Sequence, residues 1–284
     1  MKALVTGGVG FIGSNLISKL KTLKFDIVSI DNYSTGKKEN EVDGVTYIKM
    51  DIEQIETFKN KVNVCFHLAG QSRVTSSFHD PQESFRINFS GTKKVMEWAR
   101  KNKVKVIYAG SASRHQDILS SPYSLSKYMG EEICKLYKKH YAVNVEITRF
   151  YNVYGPLEVR DESNGNVIGI WLNRVSKGLP LNIIGDGNQK RDFIHVYDIV
   201  DALIKISKTN CKHDDAWELG SGNSISINNL FNIFKNKFDV QSNYLKDKPG
   251  NFKFATRKDD KMLDKISWKP NSSKLVEYIN TVEI

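Results

Sequence analysis

Cysteine, proline and long apolar runs are all scarce in this sequence. The three cysteines, Cys65, Cys134 and Cys211, are odd in number and lack the spacing of a metal site, so we expect reduced thiols, no disulfide framework and no bound metal. The first residues enter a strand pattern without a signal-like apolar block, which supports neither secretion nor membrane spanning. These absences predict a cytoplasmic protein without a membrane partner.

Acidic residues are outnumbered by basic ones. The chain of 284 residues has 42 Lys and Arg against 32 Asp and Glu, a net charge of +10. The lysines are spread along the chain and no nucleic-acid motif accompanies them, so we expect no nucleic-acid partner. A positive surface would also attract a ligand that carries a diphosphate.

The first half of the chain alternates short β-rich apolar runs with helix-like segments. The strand-like runs are residues 3–5, 26–30, 64–68, 104–108 and 145–148, and the helix candidates are residues 11–23, 82–101 and 123–139. This alternation predicts an α/β fold with a doubly wound parallel sheet, a Rossmann fold. We assign residues 1–155 and a return segment of about 193–222 to this domain. The looser pattern of residues 156–192 and 223–284 predicts a smaller C-terminal α/β region that binds the substrate.

A glycine-rich turn at residues 6–13 joins the first strand to the first helix. A glycine fingerprint has meaning in this context, between a strand and a helix. Gly7 and Gly8 permit a tight turn, Gly10 lets the backbone approach a pyrophosphate, and Gly13 permits close packing of helix on strand. The phosphates would bind the exposed amides at the helix N-terminus. The turn therefore predicts a dinucleotide cofactor.

The choice between NAD and NADP depends on Asp31, which ends the second strand about 20 residues after the glycines. A carboxylate there hydrogen-bonds the ribose hydroxyls and repels a 2′-phosphate, so we predict NAD, although Lys37 and Lys38 lie nearby. Asp51 and Ile52 follow the third strand and are placed to meet the adenine.

A second set of polar residues suits acid/base chemistry. Tyr123 and Lys127 are four residues apart in a predicted helix and so share one face. We expect the ammonium to lower the pKa of the phenol from about 10 towards neutrality, which would make Tyr123 a usable base. Ser111 follows the strand at residues 104–108, whose C-terminal end faces the nucleotide crevice. A base, a cation and a hydroxyl donor together suit the oxidation of an alcohol or the reduction of a ketone.

Together these residues resemble the extended branch of the short-chain dehydrogenase/reductase superfamily, the NAD-dependent nucleotide-sugar epimerases and dehydratases that are UDP-glucose 4-epimerase-like. The resemblance covers nearly the whole chain. Its further matching segments are residues 31–36, 51–52, 67–70, 88–92, 149–156, 185–187, 191–195 and 268–270. It implies a nucleotide-diphospho-sugar substrate and a homodimer formed through the two long helices, and the substrate class implies a place in polysaccharide biosynthesis.

The resemblance also implies a role for each matching residue. The catalytic residues are Ser111, Tyr123 and Lys127. The cofactor-binding residues are Gly7, Gly10, Phe11, Ile12, Gly13, Asp31, Asn32, Ser34, Thr35, Gly36, Asp51, Ile52, Leu68, Ala69, Gly70, Asn88, Tyr123, Lys127 and Tyr151. The substrate-binding residues are Ser111, Ser113, Asn152, Arg191 and Lys248. At Lys248 the chain departs from the family, which has arginine there, and a lysine keeps the charge but loses the bidentate fork.

The two residues directly after the active-site serine indicate the reaction. Dehydratases of the family carry an Asp-Glu pair where this chain has Ala112 and Ser113, which disfavours dehydration and favours epimerisation at C4 through a 4-keto intermediate. A reductase or dehydrogenase with net turnover of NAD(P)H and a catalytically idle nucleotide-binding protein stay open. His115 is open as well, either as a proton donor or as a polar loop residue.

Overall fold

The computed structural model describes residues 1–247, 252–271 and 274–284. The strands are β1 Lys2–Thr6, β2 Asp26–Asp31, β3 Thr46–Lys49, β4 Val64–His67, β5 Lys105–Ser111, β6 Val145–Phe150, β7 Asn152–Tyr154, β8 Leu181–Ile184, β9 Lys190–His195, β10 Trp217–Leu219, β11 Ser224–Ser226 and β12 Ser242–Leu245. The helices are α1 Phe11–Thr22, α2 Val74–His79, α3 Pro81–Phe85, α4 Thr92–Asn102, α5 Pro122–Tyr141, α6 Val167–Ser176, α7 Val196–Lys208, α8 Ile227–Phe238, α9 Met262–Lys265 and α10 Lys274–Thr281.

The central element is a seven-stranded sheet in the order β10-β6-β5-β4-β1-β2-β3. Every neighbouring pair in it is parallel. This confirms the prediction of a doubly wound α/β fold. The strand order reverses between β1 and β4, and in such sheets the crevice outside the carboxyl ends at the reversal is where ligands bind.

Alternation along the strands sends apolar side chains to both faces of this sheet. Ala3 and Val5 of β1 pack into a core that also contains Leu16 and Leu20 of α1, whereas Leu4 packs into the opposite core with Trp98 of α4. Both faces are therefore covered by helices, α1 and α7 on one side and α4 and α5 on the other. Burial of each large aliphatic side chain stabilises such a core by roughly 1.5–3 kcal/mol.

The predicted helix at residues 82–101 is interrupted. Helix α3 ends at Phe85, a π-helical turn spans Arg86–Gly91, and α4 begins at Thr92. A side chain at Gly91 would lie 2.7 Å from Cγ2 of Ile52, so this turn passes close to the residues after β3. A π-turn inserts one extra residue into a helical ladder and is common at functional sites. The apolar periodicity of the sequence does not reveal it.

The predicted helix at residues 123–139 is confirmed as α5, one residue longer at its start and two at its end. Ser121 caps it by accepting a hydrogen bond from the amide of Ser124 (3.1 Å), and Pro122 occupies the first turn, where its missing N–H costs nothing. At the other end Ala142 adopts a left-handed conformation, φ +52°, and closes the helix.

The later part of the chain forms two small sheets. Strands β11, β9 and β7 form one, β12 and β8 the other, and α6 and α8 pack against them around Trp171 and Phe234. The sequence suggested that the chain returns to the large sheet near residue 193. Strand β9 lies instead in the small three-stranded sheet, while α7 packs on the large sheet and β10 extends it beside β6. Within the described ranges, none of the helices combines the length and apolarity that crossing a bilayer requires.

Candidate active site

A cleft of about 1000 Å³ opens at the carboxyl ends of the strands, between the large sheet and the later part of the chain. The glycine-rich turn, the loop after β4, the end of β5 and the start of α5 form one wall. Residues 150–161 and parts of β8 and β9 form the other. The cleft is large enough for a dinucleotide and a second ligand side by side.

The glycine-rich turn has the shape that a pyrophosphate site requires. Gly7 has φ +73°, and a side chain on it would lie 2.8 Å from the amide nitrogen of Ala69. A side chain on Gly13 would collide with the carbonyl of Gly7. Gly10 occupies the N-cap of α1 and has no side chain with which to cap it. The first amides of α1 therefore suit an anion, because they have no partner within the helix and lie at the positive end of its dipole.

Asp31 lies where the ribose of the adenosine is expected. Its Oδ2 accepts a hydrogen bond from the amide of Val9 (3.1 Å) and its Oδ1 one from Tyr33 (2.8 Å), while burial raises the pKa of the carboxyl. A small pocket beside it brings several predicted cofactor residues together. They are Gly7, Gly10, Asp31, Asn32, Ser34, Thr35, Gly36, Ile52, Leu68, Ala69 and Gly70. The arrangement fits the adenosine half of NAD.

Asp51 and Asn88 lie behind this pocket rather than on its surface. Arg86 and Asn32 donate to the carboxylate of Asp51 (2.9 and 3.0 Å), and the hydrogen bonds from Arg86 lower its pKa to about 2. Asn88 bonds to the main chain of Gln71 in both directions, each 3.0 Å. These two side chains bond to neighbouring cleft residues, and their contact with the cofactor stays a prediction.

Ser111, Tyr123 and Lys127 line the same cleft. Ser111 ends β5, its side chain lowers the pKa of the Tyr123 phenol, and its hydroxyl accepts from the amide of Ser113 (3.1 Å). Lys127 lies one turn further along α5, and its ammonium donates to the carbonyl of Ala109 (2.5 Å). Burial lowers the pKa of Lys127 to about 8. The three side chains, from the two elements β5 and α5, therefore converge.

The expected effect of Lys127 on Tyr123 is wrong in this structure. The pKa of Tyr123 is raised, because burial of the phenol outweighs the hydrogen bond from Ser111 and the charge of Arg73, which lower it. Lys127 points at the carbonyl of Ala109 instead of at the phenol. The cation that favours the phenolate is Arg73, a residue that the motif did not include.

The predicted substrate residues lie on both walls, with Ser113 just after β5 and with Asn152 and Arg191 opposite. Ser113, Asn152 and Arg191 all line the cleft. The Oγ of Ser113 is buried and has no hydrogen-bond partner among the described residues, as expected for a group that meets a ligand. Asn152 donates to the carbonyl of Asp192 (3.0 Å), and the guanidinium of Arg191 lies 4.1 Å from the ring centre of Phe252. Lys248 and its neighbours 249–251 lie outside the described residues.

Tyr151 and His115 meet at a buried carboxylate behind the cleft. Glu218 accepts hydrogen bonds from the phenol of Tyr151 (2.9 Å) and from the guanidinium of Arg149 (2.8 Å), and its Oε1 lies 2.8 Å from Nε2 of His115. Tyr151 also lines the cleft, whereas His115 does not. The geometry therefore gives His115 a partner inside the protein.

The deciding comparison is with protein families. The sequence model of the NAD-dependent epimerase/dehydratase family matches residues 3–220. The chain belongs to this family. NAD is therefore its cofactor, as the cleft and Asp31 predict, and the sequence-based assignment to the extended short-chain dehydrogenases/reductases is confirmed.

Individual relatives cover almost the whole chain. A protein of Methanocaldococcus jannaschii provisionally named UDP-glucose 4-epimerase is 34% identical over 94% of this chain and 92% of its own. The solved UDP-N-acetylglucosamine 4-epimerase of Methanobrevibacter ruminantium, in complex with UDP-N-acetylmuramic acid, has a TM-score of 0.90 at 29% identity, covering 98% and 96% of the two chains. The UDP-glucose 4-epimerase of Thermotoga maritima with UDP-glucose has a TM-score of 0.90 at 27% identity, covering 99% and 96%.

Proposed function

We propose that this protein catalyses the NAD-dependent epimerisation at C4 of a nucleotide-diphospho-hexose, a UDP-hexose of the glucose or N-acetylhexosamine type. The observation that carries the proposal is the convergence of Ser111, Tyr123 and Lys127 in one cleft with a glycine-rich nucleotide turn. The similarity to UDP-sugar 4-epimerases along nearly the whole chain supports both the nucleotide and the carbon atom at which the reaction occurs.

Each residue has a defined task in this reaction. NAD, when bound, supplies the acceptor and donor of the hydride. Tyr123 takes the proton of the C4 hydroxyl as the ketone forms and returns it when the alcohol is restored, so no net oxidation occurs. Ser111 hydrogen-bonds the oxygen at C4 in both states. Lys127 holds a positive charge at the base of the cleft, directed at the carbonyl of Ala109, and the cation that favours the phenolate is Arg73.

The residues beside Ser111 support epimerisation over dehydration. A dehydratase must remove a second proton and protonate a leaving hydroxyl, which requires an acid and a base in addition to Tyr123. Ala112 and Ser113 occupy the positions of that pair and line the cleft. Neither side chain can serve as an acid near neutral pH.

The test is a sugar-nucleotide panel with the purified protein and no added cofactor. UDP-glucose, UDP-galactose, UDP-N-acetylglucosamine and UDP-N-acetylgalactosamine are each incubated and followed by proton NMR, which separates the C4 epimers. We expect interconversion of one pair without added cofactor, because NAD should co-purify with the protein and is regenerated in each cycle. Stoichiometric consumption of NAD(P)H would identify a reductase instead, and nucleotide binding without conversion would identify a non-catalytic protein.

Four further features of the protein are proposals. A homodimer through α4 and α5 is supported by Leu136 and Tyr141 of α5, whose exposure of 46% and 54% leaves apolar surface to cover. A division into residues 1–155 with 193–222 and the remainder is supported by the separate sheets. A cytoplasmic location is supported by the free thiols of the cysteines. A role in polysaccharide biosynthesis rests on the substrate class alone.

A further inference from the structure

Arg73 is a cation in the active-site cleft that the family motif does not include. It is the N-cap residue of α2, in the loop that follows β4, and it lines the cleft on the same side as Tyr123. Its Nε donates a hydrogen bond to the carbonyl of Asn164, 2.5 Å away and on the opposite side of the cleft. The guanidinium is thus held in one orientation across the cleft.

The rest of the guanidinium is available for a ligand. Among the described residues, no hydrogen bond or ion pair occupies its two terminal nitrogens, which together carry four N–H donors. Burial lowers the pKa of Arg73, so the protein has placed a charge where it is poorly solvated. An unpaired cation in such a position costs free energy, and an anion that binds it offsets the cost.

The acids nearest to Arg73 leave that anion to come from outside. Glu158 and Asp161 both act on the charge of Arg73 without forming an ion pair with it. The Oδ1 of Asp161 accepts from the amides of Ser163 and Asn164 (3.0 and 2.6 Å), which folds the loop, and Glu158 is bonded to Tyr278. Asp161 is therefore engaged within the second wall of the cleft. Glu158 keeps one oxygen, Oε2, without a hydrogen-bond partner among the described residues, but burial raises its pKa to about 7, so it carries only part of a negative charge near neutral pH.

The position of Arg73 also indicates which part of a nucleotide sugar it meets. Arg73 and Tyr123 line the same cleft, and Tyr123 is the residue that takes the C4 proton in the proposed reaction. In a six-membered sugar ring C1 lies opposite C4, so the diphosphate on C1 extends away from Tyr123. A group that reaches both Tyr123 and Arg73 therefore belongs to C4 or to a substituent on the neighbouring carbons, C3 and C5.

We propose that Arg73 selects the hexose by binding a carboxylate attached next to C4, and that the enzyme acts on acidic UDP-hexoses in preference to neutral ones. The proposal rests on the proposed 4-epimerisation. The carboxylate has two possible sources, a C6 carboxylate on C5 as in a UDP-hexuronic acid, or an acidic ether on C3 as in UDP-N-acetylmuramic acid. Both present two coplanar oxygens, which the guanidinium can bind in bidentate geometry.

The experiment compares matched acidic and neutral substrates with the NAD-loaded enzyme. One pair is UDP-glucuronic acid and UDP-glucose, and the other is UDP-N-acetylmuramic acid and UDP-N-acetylglucosamine. The variants are Arg73→Met, which removes the charge at similar length, and Arg73→Lys, which keeps the charge but loses the fork. Arg100→Met is the control, because Arg100 lies on the surface of α4, 2.8 Å from Glu97. Melting temperature and NAD content show whether each variant is folded.

We expect the wild type to favour the acidic member of one pair in kcat/KM by about 10-fold or more. Arg73→Met should lower the ratio of kcat/KM for that acid to kcat/KM for its neutral partner by roughly 10- to 100-fold, the range for a lost charged hydrogen bond. Both substrates also lose the effect of Arg73 on Tyr123, so the ratio is the readout. For Arg73→Lys we expect an intermediate ratio of kcat/KM. This variant also tests the role of the side chain if Arg73→Met does not fold. The pair that shows the preference identifies the carbon that bears the acid.

Two results would overturn the inference while leaving 4-epimerisation intact. One is a wild type that favours the neutral member of both pairs. The other is an Arg73→Met variant that loses acidic and neutral substrates equally, which would assign Arg73 to Tyr123 or to the shared nucleotide. Calorimetric titration of the Tyr123→Phe holoenzyme measures the same preference without turnover. Selective binding there with no epimerisation in the wild type would refute the proposed reaction and retain the role of Arg73.

Discussion

Glu158 gives a quantitative prediction, because the structure buries this acid without fully satisfying it. The side chain is 6% exposed, its Oε1 accepts a hydrogen bond from the phenol of Tyr278 (2.9 Å), and its Oε2 is buried without a hydrogen-bond partner among the described residues. Burial raises the pKa of Glu158 from 4.5 to about 7, against the opposing effects of Tyr278, Asn166, Arg160 and Arg73. The folded state therefore binds a proton that the unfolded state releases.

The sign of the pH dependence comes from that shift. The stabilising contribution of protonated Glu158 is complete below pH 4.5 and is lost as the pH rises through about 7. At 1.36 kcal/mol per pH unit, the difference between 4.5 and about 7 corresponds to about 3 kcal/mol. Glu158→Gln cannot ionise, keeps an acceptor for Tyr278 and has nearly the same shape. It should therefore gain about 3 kcal/mol on the wild type between pH 4.5 and 8.5.

The assay is thermal unfolding of both proteins, saturated with NAD, at pH 4.5 and 8.5. For a chain of this length an unfolding entropy of about 0.6 kcal/mol/K converts 3 kcal/mol to a relative shift in Tm of about 5 °C. Glu39→Gln, at an exposed position of the same chain, is the control and should show no such pH-dependent gap. A gap between Glu158→Gln and wild type that is equal at both pH values would refute the assignment of a buried, proton-binding Glu158.

Three further substitutions test the site. Tyr123→Phe should abolish epimerisation with NAD affinity nearly unchanged, as measured by NMR turnover and fluorescence titration; full activity would exclude Tyr123 as the base. Asp31→Ala should weaken binding of NAD more than of NADP, since it removes a ribose acceptor that repels a 2′-phosphate; a wild type that binds NADP more tightly would contradict this reasoning. Gly13→Val should prevent NAD binding and lower Tm, because any side chain there meets the carbonyl of Gly7; a variant with normal NAD affinity would show that the turn tolerates the change.

The sequence predicted those parts of the fold that leave a pattern among neighbouring residues of the chain. Strands β1, β2 and β4 are apolar on both faces because helices cover both, and the glycines between β1 and α1 are required by contacts within that turn and with the next strand. Periodicity also placed α5, whose Ser121 cap is a short-range signal. These features leave a pattern in the local sequence even where the contact is distant, as between Gly7 and Ala69, so the sequence alone reveals them.

The errors concern choices that distant residues make. Strand β9, which contains Phe193 and Ile194, would have the same apolar pattern in either sheet. It belongs to the small three-stranded sheet because it pairs with β7 and β11. The π-turn at Arg86–Gly91 accompanies a close approach between Gly91 and Ile52. The ammonium of Lys127 is directed by the carbonyl of Ala109, which helical spacing from Tyr123 cannot show.

The same distinction separates chemistry from substrate choice in the cleft. Ser111, Tyr123 and Lys127 come from consecutive elements, β5 and α5, on the rigid large sheet, so their geometry does not depend on the second wall. Arg73 instead donates a hydrogen bond across the cleft to the carbonyl of Asn164, 91 residues later in the chain. The charge of Glu158, on the same side as Asn164, acts on Arg73 there. A change in the loop that carries Asn164 would reorient Arg73 without moving the catalytic groups. The physical organisation of the site therefore allows the hexose to change while the reaction at C4 stays the same.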